Sequence, residues 1–178
     1  THCISSAASD VYKRQLIYRG KTMDEKTNVI RILDQKKVKY TEYTYLNTDA
    51  VGGQEVAEAL GEDANKVFKT LVTVGKTGNH YVFLVPVNKE LSLKKAAKAV
   101  GEKKVEMIKP KELLPLTGYI HGGCSPIGMK KFFKTTIHES AKDFDTIMFS
   151  GGKIGYQVET TLDGLKKVIR FDLADIAE

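Results

Sequence analysis

Two apolar segments separated by a four-residue turn constrain the fold of this sequence more than any other feature. KVFKTLVTVG (66–75) and HYVFLVPV (80–87) are rich in β-branched and aromatic residues, and KTGN (76–79) lies between them. Residues of this kind favour strands, and a short turn containing glycine and asparagine typically joins strands that pair with each other. The sequence therefore predicts a β-hairpin near the middle of the chain.

Lys69 lies inside the first of these strands among apolar neighbours. Strand alternation places it on the same face as Val67 and Leu71. An ammonium buried without a partner is costly, so the amine reaches solvent, pairs with an anion or has a lowered pKa. Solvent is the commoner environment of a strand lysine. The apolar neighbours nevertheless favour a lysine in a pocket, paired with a phosphate or a carboxylate.

The other segments mix short helices and short strands without a regular βαβ repeat. Helices are predicted from Asp24 to about Lys37, over 53–61, from Ser92 to Gly101, as a turn at 110–115 and after Thr160. Strands are predicted over 39–46, 104–108, 135–139, 145–150, 156–159 and 168–173. We expect one α/β domain with a mixed, strongly curved, barrel-like β-sheet surrounded by short helices.

Length, charge and cysteine content narrow the class of protein. The 178 residues suit one domain. Four of the 28 basic residues and one of the 22 acidic residues belong to 1–22, so 23–178 carry 24 and 21, an excess that permits RNA as a partner without requiring it. No apolar segment is long enough to cross a bilayer. Two distant cysteines, Cys3 and Cys124, give no disulfide framework and favour a reducing cytoplasm.

The first 22 residues differ from the rest of the chain. They show no sustained helical or strand period and lack the apolar core of a secretory signal. Met23 then opens a well-formed helix start, which makes it the expected initiator. We predict that 1–22 are a disordered extension or an artefact, with a presequence as the alternative, and that 23–178 form the domain.

Two glycine-rich loops are candidate anion sites. GGCSPIG (122–128) can aim backbone N–H groups at an anion or a developing oxyanion, and an ordinary surface turn is an equal alternative. SGGKIG (150–155) resembles part of a phosphate-binding loop, but its spacing is not that of a Walker A motif. A tight β-hairpin connection is the alternative for this second loop.

Cys124 and His121 raise the questions of a nucleophile and of a metal. With His138 they supply three donors, whereas structural zinc usually takes four ligands, so we expect no metal. A Cys–His nucleophilic pair needs a geometry that spacing does not define. We therefore expect Cys124 to be a small filling residue in its loop.

Four motifs, in this order and spacing, resemble the YbaK/EbsC family, the free-standing relatives of the editing domain inserted in bacterial prolyl-tRNA synthetases. They are KVFKTLV (66–72), SLKKAAKAVGEKKVEM (92–107), TGYIHGGCSPIGMKK (117–131) and FSGGKIGYQVE (149–159). The resemblance runs from about Met23 to the C-terminus and implies that family's fold. It implies hydrolysis of the ester that joins a wrong amino acid to tRNA, without a cofactor.

The resemblance also implies roles for individual residues. It assigns Lys69 and Gly122 to catalysis, and it assigns substrate binding to Tyr45, Gly123, Ser125, Ser150 and Gln157. Gln157 stands where some relatives have aspartate, so it cannot act as an acid or a base, but it can form hydrogen bonds to the substrate. Lys69 would anchor the terminal phosphate or ribose of the tRNA acceptor end.

The resulting expectation is a cytoplasmic deacylase that hydrolyses Cys-tRNA(Pro), with the thiol of the substrate attacking its own ester. The expected partners are the acceptor end of tRNA(Pro) and a prolyl-tRNA synthetase, with no membrane and no DNA. One alternative is a deacylase for Ala-tRNA(Pro) or a broader set of substrates. The other is a non-catalytic module that binds tRNA or a synthetase.

Overall fold

A computed structural model describes residues 26–46, 48–50 and 52–178. The predicted extension 1–22 and the predicted helix cap Asp24 lie outside these residues. The helices are α1 (Asn28–Gln35), α2 (Gly53–Leu60), α3 (Leu93–Val100), α4 (Pro110–Thr117) and α5 (Leu162–Lys166), and a 3₁₀ turn spans Glu139–Asp143. The strands are β1 (Thr41–Thr44), β2 (Phe68–Gly75), β3 (His80–Pro86), β4 (Val105–Met107), β5 (Lys134–His138), β6 (Ile147–Ser150), β7 (Tyr156–Thr160) and β8 (Asp172–Ala174).

The predicted hairpin is confirmed. Strands β2 and β3 are antiparallel, with a register that runs from Phe68 opposite Pro86 to Val74 opposite His80. Gly78 in the turn has a φ of +87°, a conformation that glycine adopts at little cost. Ladder pairing over seven positions makes this hairpin the centre of the larger sheet.

The strands form two sheets instead of the single barrel-like sheet expected from the sequence. The larger sheet has the order β4-β2-β3-β5-β8 and the smaller has the order β1-β7-β6. Pairs β3–β5 and β5–β8 are parallel and the other pairs are antiparallel, so the expected mixed pairing is confirmed. Within the described residues, only an isolated bridge between Val67 and Met148 joins the sheets. A single bridge does not join the strand pairing of the two sheets into one ladder. Neither sheet closes on itself, so the expected barrel is not formed.

Three buried clusters fill the space between the elements. The largest packs the apolar face of α1 (Val29, Ile30 and Leu33) against alternate residues of the larger sheet. A second lies under α3, and a third joins α2 to the start of β2 and to β6. The caps expected for α3 are present, because Ser92 Oγ accepts a hydrogen bond from Lys95 N and Gly101 is left-handed. The sequence therefore placed this helix correctly.

The last strand begins later in the chain than the sequence predicted. It was expected over 168–173, but β8 spans Asp172–Ala174. The backbone N–H groups of Val168 and Ile169 donate to Leu165 O, which extends the end of α5 and removes them from any ladder. The β-branched composition of this segment therefore reflects packing against the main cluster, not strand pairing.

Gly152 in the 150–155 loop lies close to α1. Its φ is +91°, and a Cβ at this position would lie 2.7 Å from Val29 Cγ2. Gly78 has a similar φ of +87°, but a Cβ there would meet nothing within 4 Å. Alanine substitutions at these two glycines therefore separate the free-energy cost of a left-handed backbone from the cost of steric overlap.

We expect Gly152→Ala to lower the free energy of unfolding by about 2–4 kcal/mol, because conformational strain adds to overpacking. Gly78→Ala is the matched control and should cost about 1–2 kcal/mol, from conformation alone. Urea unfolding of both variants measures the difference. Equal losses of stability would show that the contact between Gly152 and Val29 is not tight in solution.

Candidate active site

A cavity of about 200 Å³ opens where β2, the ends of β6 and β7, the N-terminus of α2 and the 118–128 loop meet. Its walls include apolar side chains of these elements: Val56, Val67, Phe68, Leu71, Val87 and Leu113. Five of the predicted site residues line it together: Tyr45, Lys69, Gly122, Ser150 and Gln157. Residues spread over more than 100 positions of the sequence thus share one cavity.

Lys69 lies at the boundary between this cavity and solvent. Its side chain is 25% exposed, and Nζ lies 3.1 Å from Glu90 Oε1. The Glu90 side chain is 81% exposed. Ion pairs with so exposed a partner contribute only about 0–1 kcal/mol to stability, so a better-placed anion can replace the carboxylate. Of the environments considered for Lys69, the structure shows two together, an anionic partner and partial exposure to solvent.

Sequence reasoning did not identify Glu90 as the partner of Lys69. Glu90 follows β3 and exchanges two backbone hydrogen bonds with Glu178, at N···O distances of 3.1 and 3.0 Å. The C-terminal residues therefore hold the turn that carries the carboxylate. An isolated acid in a polar turn, 21 residues from the lysine, has no pattern that would mark this contact.

Ser150 and Gln157 face each other on neighbouring strands. They are paired in the β6–β7 register, and Ser150 Oγ accepts a hydrogen bond from Gly152 N at 3.2 Å. Gln157 is only 7% exposed, and its Oε1 is buried without a hydrogen-bond partner among the described residues. A buried acceptor without a partner costs about 1–3 kcal/mol, so it marks a place where an external donor fits.

Thr70 is a second buried polar group of the cavity, and sequence reasoning did not single it out. Thr70 follows Lys69 on β2 and lines the same cavity. In the described part of the chain its Oγ1 also has no hydrogen-bond partner. The cavity therefore offers a hydroxyl and an amide oxygen together with the ammonium of Lys69.

The 118–128 loop contributes less to the cavity than predicted. Gly122 lines it with a φ of +85°. Gly123 is not part of the lining, its N–H donates to Ile120 O at 3.0 Å, and a Cβ here would lie 3.0 Å from Ile154 N. Glycine is thus required at this position by close approach to the 150–155 loop. Of the two predicted glycine N–H groups, only that of Gly122 remains for a ligand.

Ser125 also lies outside the cavity lining. Its side chain is fully buried, and Oγ accepts a hydrogen bond from Ile127 N at 3.3 Å. This is a turn-stabilising contact, so the serine is positioned to shape the loop. Direct contact with a substrate would need the loop to open.

Cys124 and His121 both line the cavity, but the cysteine is poorly suited to act as a nucleophile. Burial raises the pKa of the Cys124 thiol to about 12, so the thiol stays protonated near neutral pH. No three His, Cys, Asp or Glu side chains of the described residues come together in a way that could hold a metal ion. Among the described residues, the cavity thus presents polar groups, a protonated thiol and the side chain of Lys69.

Comparison with known proteins agrees with this arrangement. The family model of the aminoacyl-tRNA editing domain matches residues 48–168. The chain is 45% identical over 157 residues to "Putative Cys-tRNA(Pro)/Cys-tRNA(Cys) deacylase EbsC" of Enterococcus faecalis, covering 88% of this chain and 96% of that protein. It is 28% identical over 103 residues to the proline–tRNA ligase of Thermosipho melanesiensis, covering 58% of this chain but only 18% of the ligase.

A solved structure also shows similarity to an editing protein. The "Crystal structure of a putative trans-editing enzyme for prolyl tRNA synthetase" matches with a TM-score of 0.72 at 26% identity, covering 85% of this chain and 98% of that one. The chain therefore belongs to the aminoacyl-tRNA editing domain family, a family of hydrolytic deacylases. Within it, the resemblance to the YbaK/EbsC group deduced from the four motifs is confirmed.

None of the helices in the described ranges is long and apolar enough to cross a membrane.

The raised pKa of Cys124 predicts slow chemical modification. In the native protein at pH 8, we expect iodoacetamide to alkylate Cys124 at least 100-fold more slowly than in urea, because the thiol is buried and protonated. Mass spectrometry of the peptide that contains Cys124 separates it from Cys3. Rapid labelling of the native protein would indicate a reactive thiolate and would reopen a nucleophilic role.

Proposed function

We propose that the protein hydrolyses the ester of Cys-tRNA(Pro), a product of mischarging by prolyl-tRNA synthetase. The observation that carries the proposal is the meeting of the Lys69 ammonium with the unpartnered Gln157 Oε1 and Thr70 Oγ1 in one small cavity. The Enterococcus relative named for Cys-tRNA(Pro) and Cys-tRNA(Cys) deacylation supports this choice of substrate.

The size of the cavity indicates which part of the substrate enters it and which part stays at its mouth. A volume of about 200 Å³ suits a small aminoacyl group and not a whole nucleotide. The terminal ribose and its phosphate would then lie at the mouth, where Lys69 meets solvent. A phosphate that displaces the exposed Glu90 carboxylate makes a charge-assisted hydrogen bond with the ammonium. Lys69 thus fixes the RNA end while the aminoacyl group enters the cavity.

The polar groups inside the cavity suit the α-amino end of the substrate. Gln157 Oε1 can accept a hydrogen bond from the substrate ammonium, a task that needs no negative charge. Thr70 Oγ1 can exchange a hydrogen bond with the ammonium or with a ribose hydroxyl. Each contact satisfies a buried group that otherwise lacks a partner. This accounts for glutamine at a position where some relatives have aspartate.

Gly122 is the candidate oxyanion donor. Its left-handed backbone lines the cavity, and within the described residues its N–H makes no hydrogen bond. An aminoacyl ester is already activated, so positioning and one or two donors to the developing oxyanion supply much of the catalysis. Gly123 and Ser125 would act indirectly, by holding the loop that carries Gly122.

The nucleophile in this proposal is the thiol of the substrate itself. Its sulfur attacks the ester carbonyl carbon and forms a C–S bond, while the bond from that carbon to the ribose oxygen breaks. The thiol proton ends on the ribose oxygen through solvent, which leaves a free tRNA hydroxyl. Water then opens the cyclic thioester to release cysteine. This route needs no protein nucleophile, consistent with the protonated Cys124.

A broader substrate range is the second candidate, and the apolar walls of the cavity favour it. Apolar pockets discriminate poorly between small side chains that differ by one methylene or one polar atom, by about 10–200-fold. Ala-tRNA(Pro) would therefore enter the same cavity, and only the absence of its own nucleophile would slow its hydrolysis.

The proposed setting is the cytoplasm, with prolyl-tRNA synthetase as a second partner. Similarity to a segment that makes up 17–18% of two proline–tRNA ligases supports prolyl-tRNA synthetase as the partner in this proposal. A non-catalytic module that binds tRNA or a synthetase is the remaining alternative, and the absence of turnover would favour it.

Lys69→Ala should lower the rate of Cys-tRNA(Pro) deacylation on the order of 10²–10³-fold, because a positioned charge is lost. Lys89→Ala removes an exposed lysine near the same turn and is the matched control, with an expected rate close to wild type. Circular dichroism checks that both variants fold. Wild-type activity in Lys69→Ala would contradict the proposed mechanism.

A series of charged tRNA(Pro) substrates tests the role of the substrate thiol. We expect Cys-tRNA(Pro) to be hydrolysed on the order of 10² times faster than Ala-tRNA(Pro), Ser-tRNA(Pro) or S-methyl-Cys-tRNA(Pro), because only cysteine carries its own nucleophile. Equal rates for cysteine and S-methylcysteine would exclude thiol attack. Hydrolysis of Ala-tRNA(Pro) without action on Cys-tRNA(Pro) would overturn the proposed substrate and would favour a deacylase for Ala-tRNA(Pro).

A further inference from the structure

A second surface, well separated from the cavity, combines positive charge with an exposed aromatic ring. We define the basic patch as Lys131, Phe132, Lys166, Lys167 and Arg170. Its residues line two adjoining grooves of about 170 and 380 Å³, and both grooves share Phe132, Val168 and Ile169. Phe132 is 68% exposed, the most exposed large apolar side chain of the described residues. An aromatic ring left in water among cations needs an explanation.

The charge of this surface is concentrated. Residues 130–134 and 163–172 contain six cations (Lys130, Lys131, Lys134, Lys166, Lys167 and Arg170) and two acids (Asp163 and Asp172), a formal +4. Residues 23–178 together carry only +3, from 24 basic and 21 acidic residues. Residues 89–104 carry the same formal +4, from six lysines and two glutamates, so charge alone does not distinguish this surface from the one around α3.

Few of these cations are neutralised within the protein. Lys131, Lys167 and Arg170 are exposed and form no ion pair with another described residue. Lys166 has a long contact of 3.8 Å with the exposed Asp163. Around α3, Lys95 pairs with Asp175 at 3.0 Å and Lys104 pairs with Glu106 at 2.6 Å, whereas Lys94, Lys98 and Lys103 are exposed and form no ion pair with another described residue. The feature that distinguishes the patch is therefore its exposed aromatic ring, which the described residues around α3 lack.

The patch is connected to the cavity by one loop. Gly122 and Cys124 line the cavity, and the same loop continues through Lys130, whose N–H donates to Thr117 O, to Lys131 and Phe132. In the larger sheet, Lys134 pairs with Tyr81 and Lys69 pairs with Val85.

Strand geometry then gives the backbone distance from Lys69, at the cavity, to Lys134, which follows the patch residues Lys131 and Phe132 in the chain. Four residues along β3 and two strand spacings across it separate Lys69 from Lys134 by about 16 Å. At ~3.4 Å per stacked nucleotide, this corresponds to about five nucleotides. An RNA whose 3′ end enters the cavity is long enough to reach the patch within its acceptor arm.

The chemistry of the patch matches a nucleic acid strand. Lys and Arg side chains neutralise phosphates, and an exposed aromatic ring stacks on bases or ribose. An acidic protein surface would use the cations but would not need an exposed phenyl ring beside two apolar residues. The pairing of charge and ring therefore favours RNA.

We propose that the basic patch binds the sugar–phosphate strand of the substrate RNA, within its acceptor arm, while the 3′ end occupies the cavity. This inference rests on the proposed function for the identity of the RNA. The cations hold phosphates, Phe132 packs against an exposed base or ribose, and the 118–133 loop links this contact to Gly122.

The test compares two triple variants that lose the same charge. Lys131→Ala with Lys167→Ala and Arg170→Ala disrupts the patch, and Lys94→Ala with Lys98→Ala and Lys103→Ala is the matched control on the α3 side, where all three lysines are exposed. Phe132→Ala is measured separately. Each protein is assayed for hydrolysis of Cys-tRNA(Pro) and of a cysteinyl ester of adenosine that reaches only the cavity. Binding of uncharged tRNA(Pro) is measured by fluorescence anisotropy over a range of salt, and binding of prolyl-tRNA synthetase is measured by pull-down.

For the patch variant, we expect binding of uncharged tRNA(Pro) to weaken at least 10-fold and the slope of log K against log salt to fall by about 2–3. The KM for Cys-tRNA(Pro) should rise with kcat unchanged, and hydrolysis of the adenosine ester should stay at the wild-type rate, which also shows that the variant folds. Phe132→Ala should weaken binding several-fold without changing the salt slope. The control variant should change tRNA binding less than threefold.

Three results would overturn the inference: equal losses in the patch and control variants, no loss in either, or loss of prolyl-tRNA synthetase binding with RNA binding intact. The last result would identify a protein-binding surface. If wild type hydrolyses neither ester, the proposed function fails, and the patch is then judged by the anisotropy measurement alone. If both esters are hydrolysed and tRNA binding is unaffected in the patch variant, the patch proposal fails and the proposed function stands.

Discussion

The antiparallel register of β2 and β3 sets the position of Lys69, and the candidate active site depends on that position. Pairing over seven residues allows no slip, because a shift of one residue would exchange Phe68 and Val72, which are buried in the main cluster, with Lys69 and Leu71. The cost of moving two large apolar side chains into water thus holds the ammonium at the edge of the cavity. The second sheet then brings Ser150 and Gln157 to the same place through the β6–β7 register.

The electrostatics of the site combine one partly exposed ion pair with two buried oxygens that have no hydrogen-bond partner among the described residues. The pair between Lys69 and Glu90 has an exposed carboxylate and is therefore weak, whereas Gln157 Oε1 and Thr70 Oγ1 are buried and lack donors. A ligand with a phosphate and an ammonium would replace the first contact and complete the other two. An aminoacylated RNA end carries these groups next to the ester, and the proposed function rests on this match.

Sequence patterns predicted the local features well because those features depend on near neighbours. The hairpin, the caps of α3 at Ser92 and Gly101 and the mixed strand pairing follow from such patterns or from the family resemblance. The single barrel-like sheet was wrong, since whether a ladder continues past Val67 and Met148 depends on contacts between distant segments. Gly123 and Ser125 lie in the right loop, but their N–H and hydroxyl groups are used inside it.

The sequence by itself determined that Lys69 would lie on an apolar strand face and that the chain contains two glycine-rich loops, because strand alternation and glycine content follow directly from the order of residues. Only the tertiary structure decided which anion meets the ammonium, which N–H groups remain for a ligand, and that Thr70 belongs to the same cavity. It also decided that the cations of 130–134 and 166–170 form one surface around Phe132. These are distances between residues far apart in the chain, and they are set by how the two sheets and the helices pack together.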